Sequence, residues 1–337
     1  FARSLSETGG TMIALATMAN PGNLATGPTL IGDWKHDLGS NPDLAAPLAF
    51  VSILLIILSL VLLVVLKLVI MKVRLPMGRI WPRPERLFSR GLFPKAKDGL
   101  TILFLAVFVL LPSFFIFTYV ASSTPTSFDY GPFMDSLFYS FVIAGVVTVI
   151  DIALGVPLAL YIAKNRSGKL PEVLDVLVNV PLIVPTAALG YSLGVFWTGQ
   201  NLIPTYDALL IILAHVAFTY PLVVRNVAGA VEEVDPTYEE TARTLGARPV
   251  QSFRRVLYPM IKSSILAGAI MAFTRSLGET GATQAVVANA VTAPVYIVEL
   301  IKSDAFYTAG LACIVLIIVS YVAMLALRYV TNSRRSR

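Results

Sequence analysis

Cysteine is almost missing from this sequence of 337 residues: Cys313 stands alone inside an apolar run, so neither a disulfide framework nor a thiolate metal cluster can be built. Histidine occurs only as His36 and His215, too few to argue a Ser-His-Asp or Cys-His constellation. A Gly-x-x-x-x-Gly-Lys-Ser/Thr phosphate loop is also lacking, so ATP hydrolysis is not expected of this chain, and neither is any other enzymatic reaction. No metal ligands or cofactor motif are expected in it. Charge is scarce as well. Charged residues make up 14% against 56% hydrophobic, with a mean hydropathy of +0.76, which leaves too little polar surface to clothe a soluble globule. The chain reads as a multi-pass membrane protein. Its net charge of +6 does not imply nucleic acid, because the basic residues cluster in short loops between apolar runs, where they act as topology signals.

The first residues, Phe1 to Thr11, carry no basic leader or cleavage site. They match Phe273 to Thr283 at eight of eleven positions, which marks an internal repeat. Gly27-Pro28 through Ile31 echoes Ala293-Pro294 through Ile297, and Ala46 to Ala49 echoes Ala309 to Ala312, each pair ahead of a long apolar span. On this reading residues 1–71 are the end of a first unit whose front portion is not in this sequence, with part of a span, an external loop at 21–47 and one span at 47–71. Between Lys67 and Asp98 lie nine Lys or Arg against two acids, so the linker 72–97 is expected in the cytoplasm.

Residues 98–337 predict six further spans, at about 99–120, 135–163, 172–197, 206–228, 263–290 and 307–329. Stretches 121–134 and 198–206 hold no Lys or Arg and 291–306 holds only Lys302, whereas 164–171 holds Lys164, Arg166 and Lys169. The first three are therefore external and the last internal. In the third span Pro181 and Pro185 remove backbone donors and break or kink the helix.

One of the few long polar passages, Val231 to Pro259, falls on the cytoplasmic side of this topology. Asp235 or Thr237 caps a helix of about 236–246, Glu239 and Glu240 suit its N-terminal dipole, and Gly246 ends it. Tyr238, Ala242 and Leu245 share a face suited to a partner's groove. Glu240-Thr241-Ala242, then Gly246 after three residues, Val256 after nine more, and Tyr258-Pro259 follow the spacing Glu-Ala-Ala, Gly, Ile, Leu-Pro. This passage resembles the EAA loop of binding-protein-dependent ABC importer permeases, with departures at Thr241, Val256 and Tyr258.

The resemblance implies an all-α fold: a six-span type I importer permease unit preceded by the last spans of a second, truncated one, in the cytoplasmic membrane. It implies that Tyr238, Glu239, Glu240, Thr241, Ala242, Leu245 and Gly246 couple to cytoplasmic ATPase subunits that bind and hydrolyse ATP. It implies two further partners, an extracytoplasmic substrate-binding protein and a second permease half, fused or separate. A channel, a scaffold or a repeat-built secondary transporter would explain the apolar spans, but not this loop.

The fifth span carries charge. Arg275 and Glu279 are four residues apart and can pair with each other; alternatively, together with Ser276, Thr280 and Thr283, they line the translocation pathway. Arg3 and Glu7 repeat them in the first unit. Asp151 is another acid at membrane depth, and His215 and Arg225 read as groups that satisfy neighbours or snorkel. Arg275 to Thr283, Arg-Ser-Leu-Gly-Glu-Thr-Gly-Ala-Thr, is similar to the signature of molybdate, tungstate, sulfate and phosphate permeases. Fusion of two units instead resembles iron(III), thiamine and phosphonate-type importers. An intramembrane arginine in each half favours an oxyanion.

Overall fold

The computed structural model describes residues 25–72, 93–122, 129–199, 206–287 and 292–332. Among them every regular element is helical. The part of the expected external loop 21–47 that is described is not an open loop but contains a helix, α1 (Gly27–Asp37). Thr29 Oγ1 accepts from Thr26 N at 3.0 Å and Pro28 occupies the first turn, a start in which no donor is wasted. Ile31 then buries the helix against the rest of the molecule. Span α2 (Ala45–Lys72) follows. Phe50, Ile53, Leu54 and Ile57 are exposed on it, a surface suited to lipid rather than water.

The next run consists of α3 (Phe93–Leu105), a π-turn at Ala106–Leu110 and α4 (Leu111–Ser122). The π-turn precedes Pro112, which has no N–H to continue the ladder. Helix α5 (Tyr130–Lys164) is the longest of the described helices at 35 residues. Helices α6 (Lys169–Asn179) and α7 (Thr186–Gly199) replace the single span expected at 172–197. They are bent by 107° around Val180–Leu182, where Pro181 and Pro185 interrupt the donors. Helix α8 (Asp207–Glu233) crosses back to α9 (Thr237–Thr244).

The span expected at 263–290 is also corrected. It starts earlier, with α10 (Pro249–Ser252), a π-turn at Phe253–Leu257 and α11 (Tyr258–Leu277), and it stops at Gly278. A separate short helix, α12 (Gly281–Val286), follows, then α13 (Ala293–Lys302) and the last span, α14 (Phe306–Asn332). Among the described residues five helices are long and apolar enough to cross a membrane, and six if the bent pair counts as one.

Helices α5, α8 and α11 form the centre. Lipid tails are as apolar as leucine, so close backbone approach has to hold such helices together. Glycines permit it here: a Cβ on Gly268 would lie 2.9 Å from Val223 Cα, and one on Gly155 would lie 3.2 Å from the Val223 side chain. Ala159, Ile162, Val223, Val227, Leu257 and Ile261 fill one end of this bundle. A second close approach fixes α12, since a Cβ on Gly190 of α7 would come within 2.6 Å of the Ala282 carbonyl.

Candidate functional site

Two places bring the sequence-predicted residues together. The first is the break after α11. Arg275 lies in the last turn of that helix, its guanidinium paired with the Glu279 carboxylate and its Cζ 5.0 Å from the centre of the Phe218 ring on α8. Glu279 is 4% exposed and Arg275 29%. The pair is thus closed on the acid side and partly open on the basic side. Glu279 Oε1 also accepts from Ala282 N at 3.0 Å, so one carboxylate neutralises the arginine and caps the start of α12. Glu279 thereby offers the chain a competing hydrogen bond just where α11 stops.

His215 of α8, fully buried, holds both sides of this break. Its Nδ1 is 2.8 Å from Ser276 Oγ, on α11, and its Nε2 is 2.9 Å from Thr283 Oγ1, on α12. The Thr283 hydroxyl donates to the Glu279 carbonyl at 3.2 Å. Nε2 therefore carries the ring proton and donates to Thr283, and Nδ1 accepts from Ser276. Thr280, buried, stands at the head of α12, where its carbonyl accepts from Gln284 N. Sequence reading gave His215 the role of satisfying neighbours; the structure shows that those neighbours are Ser276 and Thr283. A histidine four residues before Thr219 in an apolar span was the available signal, and it did not name its partners. Asp151 is buried in α5, with neither carboxyl oxygen hydrogen-bonded among the described residues, and is not the partner of Arg275. Arg3 and Glu7 lie outside the described residues.

The second place is α9. Asp235 Oδ1 accepts from Thr237 N at 2.9 Å, which caps the helix, and the Thr237 hydroxyl donates to the same carboxylate. These bonds hold the Asp235 carboxyl below its ordinary range. At the other end Ala247 N donates to the Ala242 carbonyl and Gly246 N to the Arg243 carbonyl, with Gly246 at φ +87°. This is a Schellman closure, and only glycine takes that backbone without strain. Lys164, at the end of α5, grips Glu239 at 2.6 Å and ties α9 to the bundle, while Arg166 grips Glu232, near the end of α8, at 2.7 Å. Tyr238, Leu245 and Val250 remain 56%, 83% and 75% exposed. Glu240 and Thr241 are exposed beside them, and Ala242 is half-buried. Glu239 therefore faces inward, while the rest of the predicted coupling set is largely presented outward.

Comparison with known proteins bears on both places. Residues 155–337 match the family described as binding-protein-dependent transport system inner membrane component. The chain is 35% identical over 179 residues to the sulfate transport system permease protein CysT of Salmonella typhimurium, an alignment covering 49% of this chain and 63% of that one. It is 28% identical over 236 residues to the molybdate/tungstate transport system permease protein WtpB of Pyrococcus furiosus, covering 69% and 93%. Among solved structures, a bacterial ABC transporter involved in import of the acidic polysaccharide alginate superposes with a TM-score of 0.58 at 16% identity, over 74% of this chain and 99% of that one. That likeness concerns the fold.

Proposed function

The chain belongs to the family of binding-protein-dependent transport system inner membrane components, and from that membership we propose that it forms the membrane pathway of an ATP-driven importer of a small inorganic oxyanion. It is then a multi-pass protein of the cytoplasmic membrane that hydrolyses nothing itself. A cytoplasmic ATPase bound at α9 supplies the energy, and an external binding protein supplies the anion. Residues 1–71 belong to one permease unit and 98–337 to the other.

The observation that carries the coupling role is the form of α9. A helix closed at both ends, anchored on one side by Lys164 and Glu239, turns Tyr238 and Leu245 to water, and Val250 of α10 is exposed as well. Exposed apolar side chains on a rigid, short helix are what a partner's groove selects. The observation that supports an anion is the break after α11. A guanidinium offers a fork of donors that matches an oxyanion, and Arg275 keeps part of that fork open while Glu279 offsets its charge. The anion would compete with Glu279 for Arg275 during passage. The sulfate and molybdate/tungstate permeases aligned with this chain favour the same class over iron(III) or thiamine.

The test separates anchoring from docking. Among the described residues a Cβ added at Gly246 meets no atom within 4 Å, so Gly246→Ala carries the cost of a positive φ, about 1–2 kcal/mol. Gly246→Trp should insert and fold, yet lose ATPase stimulation and transport, because the indole would occupy the partner's space. Full stimulation in a well-expressed Gly246→Trp protein would refute the docking role of α9.

A further inference from the structure

Helices α1 and α13 lie outside the crossing helices and share a plan. α1 starts at Thr26-Gly27-Pro28 and α13 at Thr292-Ala293-Pro294, with each threonine extended before the first turn, at φ −91°, ψ 155° and φ −83°, ψ 151°. Each proline sits where its missing N–H removes no helical bond. Each helix leads into a long apolar one, α2 or α14. The same register sets Ile31 opposite Ile297, Asp33 opposite Glu299 and His36 opposite Lys302. Both helices thus carry an acid and, three residues on, a base along one face.

The contact between them follows this pattern. Lys302 Nζ donates to Asp33 Oδ1 at 2.8 Å, so the base of α13 meets the acid of α1. The same register makes Glu299 and His36 the reverse pair; burial pushes the Glu299 carboxyl up, with the charges of His36 and Lys302 opposing that shift. A surface on which residue i meets j while the image of i meets the image of j is the signature of a two-fold contact. α1 is seated beside it by Ile31, packed with Ala187, Ala188 and Ala285, and by Lys35, whose Nζ lies 5.9 Å from the Tyr191 ring centre.

We infer that α1 and α13 are the self-complementary surface through which the two permease units meet at the external face, the acid of each against the base of the other, and that they part when the pathway opens outward. This rests on the reading of residues 1–71 and 98–337 as two units of one importer. The strength of the contact suits a joint that opens every cycle. Asp33 and Lys302 are both about half exposed, and such a pair biases the closed state only about twofold to fivefold.

The test uses the full chain assembled with its ATPase, in a Cys313→Ala background and with a protease site inserted within residues 73–92. Asp33→Cys with Lys302→Cys is treated with a short bis-methanethiosulfonate, which reaches farther than a disulfide and is reducible. His36→Cys with Glu299→Cys is treated in the same way. Both pairs should hold the two proteolytic fragments together until dithiothreitol is added, and failure of either pair overturns the two-fold contact. Linked protein should lose uptake of radiolabelled sulfate or molybdate into vesicles and regain it on reduction; undiminished uptake in fully linked protein overturns the need for parting. Asp33→Lys should lower uptake about twofold to fivefold, and adding Lys302→Asp should restore it, as expected for a half-exposed pair. Linking is read without any anion. A chain that links as expected but carries neither anion, even unmodified, would sink the oxyanion reading and leave the contact standing.

Discussion

Replacing His215 with leucine isolates the joint between α11 and α12. The imidazole is the shared partner of Ser276 and Thr283, one on each side of the break at Gly278, and leucine fills similar space while offering neither hydrogen bond. Side-chain hydrogen bonds between membrane helices average about 0.6 kcal/mol and reach about 1.7, so losing two costs about 1–3 kcal/mol. That raises the unclamped population roughly fivefold to more than a hundredfold. The ring-proton assignment sharpens the series. His215→Gln places an amide donor near the Nε2 position and should keep Thr283, whereas His215→Asn places an acceptor near the Nδ1 position and should keep Ser276. Each should recover part of the loss. Thermal unfolding of the purified complex in detergent reads the clamp, and binding-protein-stimulated ATPase activity reads its consequence for Arg275 and Glu279. Basal ATPase activity should change less, because the α9 anchor through Lys164 and Glu239 is a separate contact. Unfolding and stimulation both unchanged in His215→Leu would refute the argument that this residue positions the break.

The remaining expectations concern charge and topology. Breaking a fully buried ion pair costs about 3–5 kcal/mol, and the partial exposure of Arg275 puts this one lower. Arg275→Gln should therefore assemble with the ATPase yet lose substrate-dependent uptake, and adding Glu279→Gln should not restore it; a double variant that transports normally, after a single one that is degraded, would make the pair a structural bridge. Single cysteines at Ser127 and Ser303 should label with an impermeant thiol reagent from outside, and those at Ser89 and Ser333 only after permeabilisation; the reverse would place α9 on the wrong side of the membrane.

The α9 region was legible because its rules are local. Asp235, Pro236, the acidic first turn and Gly246 are close neighbours in sequence, and capping and a positive φ act over that range, so the expected helix of 236–246 appears as Thr237–Thr244 with its glycine at φ +87°. The crossing helices were legible for a similar reason, since apolar length alone sets what can span. Fine structure inside the spans was not. Residues 278–290 carry one charge, Glu279, among small, polar and apolar residues, so composition lets a span run on to 290 although the helix ends at Leu277. What ends it is a set of long-range partners: the His215 ring on α8 between Ser276 and Thr283, and the Gly190 surface of α7 that admits the backbone of α12. The pairing of Lys302 with Asp33 joins residues far apart in the chain, as does the grip of Lys164 on Glu239 that turns one of the expected coupling acids inward. Composition and local order determined by themselves that this chain crosses a membrane and where α9 begins and ends. Tertiary structure alone decided which charges meet between distant helices and that the span expected at 263–290 ends at Leu277, because inside a membrane a buried polar group must find its partner on another helix.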